Sequence, residues 1–303
     1  MIFVEIKLYT APFDAEQMLC RLEEIFGIEE RLLETPQLTG LETSENKDIV
    51  LLAMEDGVLL GAIHGTIPQK EPQIAGLSAM FTTPQARGTG LGRKLFGKMV
   101  ETLENMGVKA MFLGTSNPVA EKLYASFGFR YLFGSGVMAR FSEGAVADFH
   151  KSRFVAPKGT IRIEKGSAEM RIPMVPLALS RLQYKIYDAN LGIANPEVLT
   201  QFSCMGLYPK YMALKGSFFG AWDEAGVLGA AATVTEDGCF DGFGWPAYEE
   251  ALQEIFRKAG ASHMIVADAD KAKIALANSL GLHRAEETKL QLRDAYFPAH
   301  YYR

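Results

Sequence analysis

Ten consecutive residues of this 303-residue chain have types and spacing suited to holding an anion: Pro84-Gln85-Ala86-Arg87-Gly88-Thr89-Gly90-Leu91-Gly92-Arg93. A strand-like run stops at Pro84, three glycines follow within five residues, and an apolar helical stripe begins. Glycine lets the backbone approach a ligand closely and turn its N–H groups toward it. The start of a helix adds a partial positive charge that suits a phosphate or pyrophosphate, and Arg87 and Arg93 would add full charges. A Walker A loop needs G-x-x-x-x-G-K-[ST], and Gly92 is followed by Arg-Lys-Leu. A G-x-G-x-x-G fingerprint from Gly88 needs glycine at 93, which is Arg, and lacks an acid about 20 residues on. R-x-x-G-x-G, from Arg87 to Gly92, fits at every position. A turn that only caps the helix is the structural alternative, and three glycines exceed what a cap requires.

Other polar residues stand near this segment in the sequence. Tyr124 lies on a helical pattern between Leu123 and Phe127, so an aromatic facing a core competes with a phenol placed for proton transfer. His64 and Glu71 precede the glycine loop and are the candidates for a base; each also reads as an internally satisfied or surface polar residue. The strand-like run Ile74–Thr82 contains no acid.

The elements that must position these residues alternate. Residues 3–6 read as a strand and 14–33 as one helix, with apolar residues at helical spacing. Residues 49–54 and 58–67 form a hairpin about Glu55-Asp56-Gly57. A strand over 76–82, a helix from Leu91 ending at Gly107, a strand over 108–113, a helix over 118–127 with Gly128 after it, and a strand region over 129–141 complete the first half. Residues 143–160, with two glycines, a proline and mixed charge, read as a linker.

The second half repeats this order. Ala221–Gly229 echoes Ala53–Gly61, and Gly260 to Gly281 spans the same 21 residues as Gly107 to Gly128. Ala-Asn-Ser-Leu-Gly-Leu (277–282) overlies Tyr-Ala-Ser-Phe-Gly-Phe (124–129). Two matches in order argue for a duplicated domain. The ungapped register sets Phe240 against Arg87, Asp241, Phe243 and Trp245 against the three loop glycines, and Ala277 against Tyr124. Slipping one residue recovers Gly242 and Gly244 but no arginine. Bulky residues and an acid there disfavour a pyrophosphate.

The run Met80-Phe81-Thr82-x-Pro84-x-x-Arg87-Gly88-Thr89-Gly90-Leu91-Gly92 resembles the coenzyme A signature of the GCN5-related N-acetyltransferase (GNAT) superfamily. Asn117-x-x-Ala120-x-x-x-Tyr124-x-x-x-Gly128-Phe129 resembles the family's next motif. The resemblance covers residues 1–141 in full and 160–303 in weakened form, as in tandem GNAT proteins with a degenerate second copy. It implies an α/β (α+β) fold of two GNAT-like domains, residues 1–142 and 161–303, each a mixed, mostly antiparallel sheet flanked by helices. It implies that backbone N–H groups of Gly88, Thr89, Gly90, Leu91, Gly92 and Arg93 cradle the pyrophosphate of acetyl-CoA, the acyl donor, with Arg87 adding charge. Met80, Phe81 and Thr82 would pair with the pantetheine arm, Asn117 would contact the same molecule, and Tyr124 would protonate the leaving thiolate. The implied reaction is acetyl transfer to a primary amine of a small molecule or peptide. A non-catalytic acyl-CoA-binding or regulatory module and a transferase of longer acyl groups are the alternatives.

Composition narrows the remaining classes. Residues 1–150 hold 13 basic and 19 acidic side chains and the rest 18 and 17, a net of −5. Nucleic-acid binders carry a basic surplus, so none is expected as a partner. The acid concentrates over residues 11–35, as a solvated helix face or as a lure for a cationic substrate. No apolar run is long enough for a membrane span, Glu5 and Lys7 interrupt the initial apolar stretch, and Cys20, Cys204 and Cys239 lie far apart. No metal, no membrane and a reducing cytoplasm are the expectations.

Overall fold

In a computed structural model, which describes residues 4–132, 135–142, 149, 151, 153, 156–196, 198 and 207–303, Asp56 and Gly57 turn the chain at positive φ (49° and 81°). Left-handed pairs of this kind match the twist of a two-residue hairpin. The turn pairs β2 (Asn46–Glu55) with β3 (Val58–Pro68), and both strands are buried over most of their length. The expected linker lies largely outside the described residues, as does Cys204. The chain divides into two compact units, Met1–Arg130 with Val137–Gly144 and Tyr131–Gly136 with Ala145–Arg303.

The first unit contains β1 (Glu5–Thr10), α1 (Glu16–Phe26), α2 (Ile28–Leu38), β2, β3, β4 (Ile74–Thr82), α3 (Leu91–Asn105), β5 (Ala110–Gly114), α4 (Pro118–Ser126) and β7 (Val137–Phe141); the two-residue β6 (Arg130–Tyr131) falls where the first segment of this unit ends. Its strands lie in the order β1-β2-β3-β4-β5-β7, antiparallel except for β4 beside β5. Leu91, Leu95, Met99 and Leu103 of α3 cover one face of the sheet with Tyr124 of α4, and Met18, Leu19 and Leu22 of α1 cover the other with Leu38 of α2. Central strands buried on both faces read as continuous apolar runs. The single helix expected over 14–33 is two helices, because Gly27 takes φ +97° between them, and α2 runs on through Pro36 to Leu38.

The second unit contains β8 (Arg162–Lys165), α5 (Met174–Ala178), β9 (Ile186–Asp188), β10 (Ile193–Ala194), α6 (Leu207–Ala213), β11 (Gly216–Trp222), β12 (Leu228–Thr235), β13 (Phe240–Gly244), α7 (Glu249–Lys258), β14 (Met264–Ala267), α8 (Lys271–Ser279), β15 (Arg284–Leu292) and β16 (Ala295–Tyr302). One sheet has the order β8-β11-β12-β13 and another β14-β16-β15, and a single parallel bridge, Cys239 to His263, joins β13 to β14. Phe240 to Gly244 are therefore strand residues. This corrects the ungapped register, which set them against the glycine loop. In the first unit Thr83-Pro84 follow β4, a short turn Pro84–Ala86 comes next, and Arg87–Gly90 precede α3. In the second, Trp245-Pro246 follow β13, the turn Pro246–Tyr248 comes next, and α7 starts at once. No glycine loop stands between that turn and α7.

Lys273 of α8 is buried beside β13. Its Nζ donates to the Asp241 carboxylate, to the Gly242 carbonyl and to the Tyr187 carbonyl (2.9 Å). Asp241 in turn accepts from the Ala189 N–H at 2.7 Å. Removing one partner of a buried pair strands the other charge, at about 3–5 kcal/mol. Lys273→Met is expected to lower the unfolding free energy of the second unit by that amount in urea titrations. Adding Asp241→Asn should recover part of the loss, and an unchanged midpoint for the single variant would contradict the pairing.

Candidate active site

The site grows from one irregularity in β4. Its partner β3 pairs Ala62 with Phe81 and His64 with Ser78, so Ala79 and Met80 together face Ile63. This bulge puts Ala79 at φ +51°, and bulges of this kind bend a strand and re-aim its groups. On the other edge β4 pairs with β5 only over Ile74–Gly76. Beyond Gly76 the two strands part, because β5 gives its remaining residues to β7. Among the described residues the edge of β4 from Leu77 to Thr82 has no ladder partner on that side.

At the end of this edge the chain passes through Pro84–Ala86 into the glycine loop. Gly88 (φ +77°) and Gly90 (φ +85°) sit where a side chain would be strained, and a Cβ built on either meets nothing within 4 Å. Gly92 is different: its Cβ would stand 3.6 Å from Thr82 Cγ2 and 3.7 Å from Met80 Cε, in ordinary contact with β4, so α3 packs against that strand here. The Thr89 hydroxyl donates to the Ala86 carbonyl at 2.7 Å and fixes the loop. The first bond across a helical turn is from the Lys94 N–H to the Gly90 carbonyl, so the N–H groups of Leu91, Gly92 and Arg93 precede the helical ladder. Arg87, Gly88, Thr89 and Gly90 are exposed. Arg93 is exposed too, with its guanidinium 5.4 Å above the Phe127 ring. Met80, Phe81, Thr82 and Arg87 to Arg93 thus form one continuous stretch of strand edge, loop and helix start.

Asn117 caps α4: its Oδ1 accepts from the Val119 N–H at 2.9 Å, and Pro118 takes the first helical position. Asn-Pro at a helix start signals a cap, and the cap occupies the carbonyl end of the amide. Tyr124, on the same helix, is 8% exposed; its ring lies 4.7 Å from that of Phe96 and 6.5 Å from that of Phe129. Burial pushes its phenol up to about 12.

Residues 15–129 match the model of the acetyltransferase (GNAT) family. No curated protein matches the chain. Among solved structures, a GNAT family acetyltransferase from Staphylococcus aureus is 20% identical, covering 46% of this chain and 100% of its own, with a TM-score of 0.38. A GNAT family N-acetyltransferase from Escherichia coli in complex with CoA is 21% identical over 46% of this chain and 82% of its own, with a TM-score of 0.37. A GNAT family acetyltransferase from Brucella melitensis in complex with acetyl-CoA is 20% identical over 48% and 91%, with the same score.

Within this GNAT-matching segment, behind the bulge, lies a polar cluster that the sequence reading did not assemble. His64 is fully buried, with Nδ1 2.6 Å from Glu34 Oε2 and Nε2 2.9 Å from Asp48 Oδ1. The Thr66 hydroxyl lies 2.7 Å from Asp48 Oδ1 and 3.0 Å from Gln37 Oε1, and Ser78 Oγ lies 3.1 Å from His64 Nδ1. Glu34, Gln37, Asp48 and Thr66 are also buried. Burial alone would lower the pKa of His64, but the Glu34 charge and the hydrogen bonds to Asp48 and Glu34 outweigh it and raise it to about 10. An imidazolium between two carboxylates has no lone pair, so the Ser78–His64 contact does not activate a nucleophile as in a catalytic triad. Glu71 is 7% exposed, and its loop enters β4 at the end away from the bulge, its carbonyl accepting from the Ile74 N–H. The extended chain from Ile74 to Ser78, roughly 13 Å, lies between that turn and the start of the bulge.

Part of the acid in residues 11–35 is solvated: Glu16 and Glu23 lie 3.0 and 3.4 Å from Arg31, and Arg21 pairs with Glu24. Glu34 is not, and Glu30 is half-buried. Glu30, Glu34 and Gln37 fall at i, i+4 and i+7, one face of α2, and that spacing was the available signal. Among the described residues no group of three or more His, Cys, Asp or Glu is placed to hold a metal ion, and no helix is long and apolar enough to cross a membrane.

His64 links stability to pH. Its folded pKa exceeds the unfolded value of 6.5, so the stabilisation is complete below that pH and is lost as pH rises toward about 10. The unfolding free energy of the first unit should fall by a few kcal/mol between pH 7 and pH 10. His64→Gln should be less stable at pH 7 and nearly flat over that range. An equal slope in both proteins would contradict the ion triad.

Proposed function

We propose that the first unit binds acetyl-CoA along β4 and the glycine loop and transfers the acetyl group to a primary amine of a small molecule or peptide. One observation carries this reading: a bulged strand with a free edge leads directly into a loop whose Gly88 and Gly90 are left-handed and exposed, and then into a helix start where the N–H groups of Gly92 and Arg93 precede the helical ladder. The residues present fit the donor. Gly88 to Arg93 would hold the pyrophosphate with Arg87 and Arg93 adding charge, the free edge of β4 would pair with the amide-bearing pantetheine arm, and the Nδ2 of Asn117 keeps its donors. Acetyl-CoA supplies an activated thioester carbonyl. An N–H at the bulge, near Phe81 or Thr82, would stabilise charge developing on the carbonyl oxygen.

Tyr124 is the proposed proton donor to the leaving thiolate. A phenol raised to about 12 keeps its proton across the physiological range. It exceeds the ordinary thiol value of about 8.5, so it acts by hydrogen bonding to the thiolate as the charge forms and by completing the transfer late. His64, held as a cation, and Glu71, at the other end of β4, are poor bases.

The second unit reads as a degenerate copy, with β8-β11-β12-β13 and β14-β16 standing for β1-β2-β3-β4 and β5-β7. No glycine loop precedes α7, Glu249 and Glu250 occupy its first turn, and Lys273 fills the space beside β13. These features oppose pyrophosphate binding. A non-catalytic acyl-CoA module is the second reading, favoured by the absence of an acid on β4.

Gly90→Glu would place a charged side chain in the open space at φ +85° and is expected to abolish acetyl-CoA binding while the thermal transition shifts by only a few degrees; retained affinity would refute the loop assignment. Tyr124→Phe is expected to lower turnover about 10²-fold or more with acetyl-CoA affinity unchanged, and equal turnover would return Tyr124 to a packing role. Binding of one acetyl-CoA per chain with no transfer across a broad amine panel would favour the module.

A further inference from the structure

We propose that Glu30 is the general base of this site, taking the proton from an ammonium acceptor that docks over the bulge of β4; the proposal rests on the acetyl-transfer reading above. The argument is one of register. Gln37 of α2 reaches Thr66, which pairs with Gly76, and one turn earlier Glu34 reaches His64, which pairs with Ser78. Each turn of α2, about 5.4 Å, thus advances two residues, about 6.6 Å, along β4 toward the glycine loop. One further turn back from Glu34 is Glu30, which brings it to the level of Ala62 and Phe81, where β4 bulges and has parted from β5.

The surroundings of Glu30 suit this role. It is half-buried, whereas Glu34 and His64 behind it are sealed from solvent. Burial first, and then the Glu34 charge, raise its carboxyl to about 6, with His64 opposing. The groups facing it are Glu34 on its own helix, His64 on β3 and, beyond the imidazole, Asp48 on β2. Neighbouring Arg31 is committed to Glu16 and Glu23 of α1. Two buried carboxylates against one imidazolium leave an excess negative charge behind Glu30, and Glu34 Oε1 has no hydrogen-bond partner. A cationic amine is drawn to such a place. The carboxylate form predominates at neutral pH, yet the group is a stronger base than an ordinary glutamate.

The proton balance closes. Glu30 takes one proton from R–NH3+, the freed lone pair attacks the acetyl carbonyl carbon, and the C–N bond forms. As the C–S bond breaks, the thiolate takes the proton of Tyr124, and the second N–H proton passes to water. Tyr124 regains a proton from water and Glu30 releases its own, so one proton is produced per amide formed.

The test compares two nucleophiles with the full-length chain. 1,4-Diaminobutane is an ammonium ion at neutral pH and must be deprotonated; hydroxylamine is already largely uncharged. Glu30→Gln is expected to lower kcat/KM for 1,4-diaminobutane at pH 7 by at least 10²-fold and to remove the acidic limb of its pH profile near 6. Acetylation of hydroxylamine and the affinity for acetyl-CoA should stay within about threefold of native. Loss of both reactions together, or of neither, would overturn the role of Glu30 while leaving acetyl transfer intact. A native chain that binds acetyl-CoA and acetylates neither these two amines nor any member of the broad amine panel would overturn the transfer reading, and this inference with it.

Discussion

The geometry of the first unit depends on a misfit in one ladder: Ala79 and Met80 of β4 stand opposite the single residue Ile63 of β3. A regular strand would keep its bonds on both sides and present no free polar edge. The bulge turns the second half of β4, and β5 leaves it after Gly76 to pair with β7. The non-glycine residue at φ +51° costs about 1–2 kcal/mol and persists because the packing around it fixes it. Ala79 and Phe81 sit in the apolar cluster formed with α1. The contrast with the second unit is instructive. There β12 and β13 pair in unbroken register from Ala230–Gly244 to Val234–Phe240, and the Lys273 ammonium donates to the Asp241 carboxylate and the Gly242 carbonyl of β13.

The buried ion cluster is the other constraint. Glu34, His64 and Asp48 bring charge into a face otherwise packed with Met, Leu and Val, and desolvation makes such groups costly unless each is paired. His64 answers one oxygen of each carboxylate, Ser78 lies against its ring, and Thr66 links Asp48 to Gln37. The cluster ties α2 to β2, β3 and β4 at fixed register. It therefore holds the helix that carries Glu30 over the bulge, in a way that apolar packing, tolerant of small slides, would not.

Much of this was legible in the sequence. Asp56-Gly57 between two apolar runs specified the hairpin, and Arg87 to Gly92 specified the loop, because only glycine supplies those dihedral angles without strain. Other parts were not. The break at Gly27 was hidden by helical spacing that continues through it. His64 and Glu34 are 30 positions apart, and nothing local announces that one satisfies the other. The bulge at Ala79 carries no glycine or proline signal. In the second unit the ungapped register failed because residues 240–244 form a strand and the turn at Pro246 leads directly into a helix, and Pro246, which like Pro84 follows a strand, was the available marker.

Amide hydrogen exchange of the full chain, with and without saturating acetyl-CoA, tests the central claim most directly, since the bulged strand, the loop and the helix start are proposed to act through their backbone N–H groups. Protection should appear over residues 80–82 and 88–93 and leave residues 240–250 unchanged. Binding with no added protection over 88–93, or protection confined to 240–250, would contradict the account.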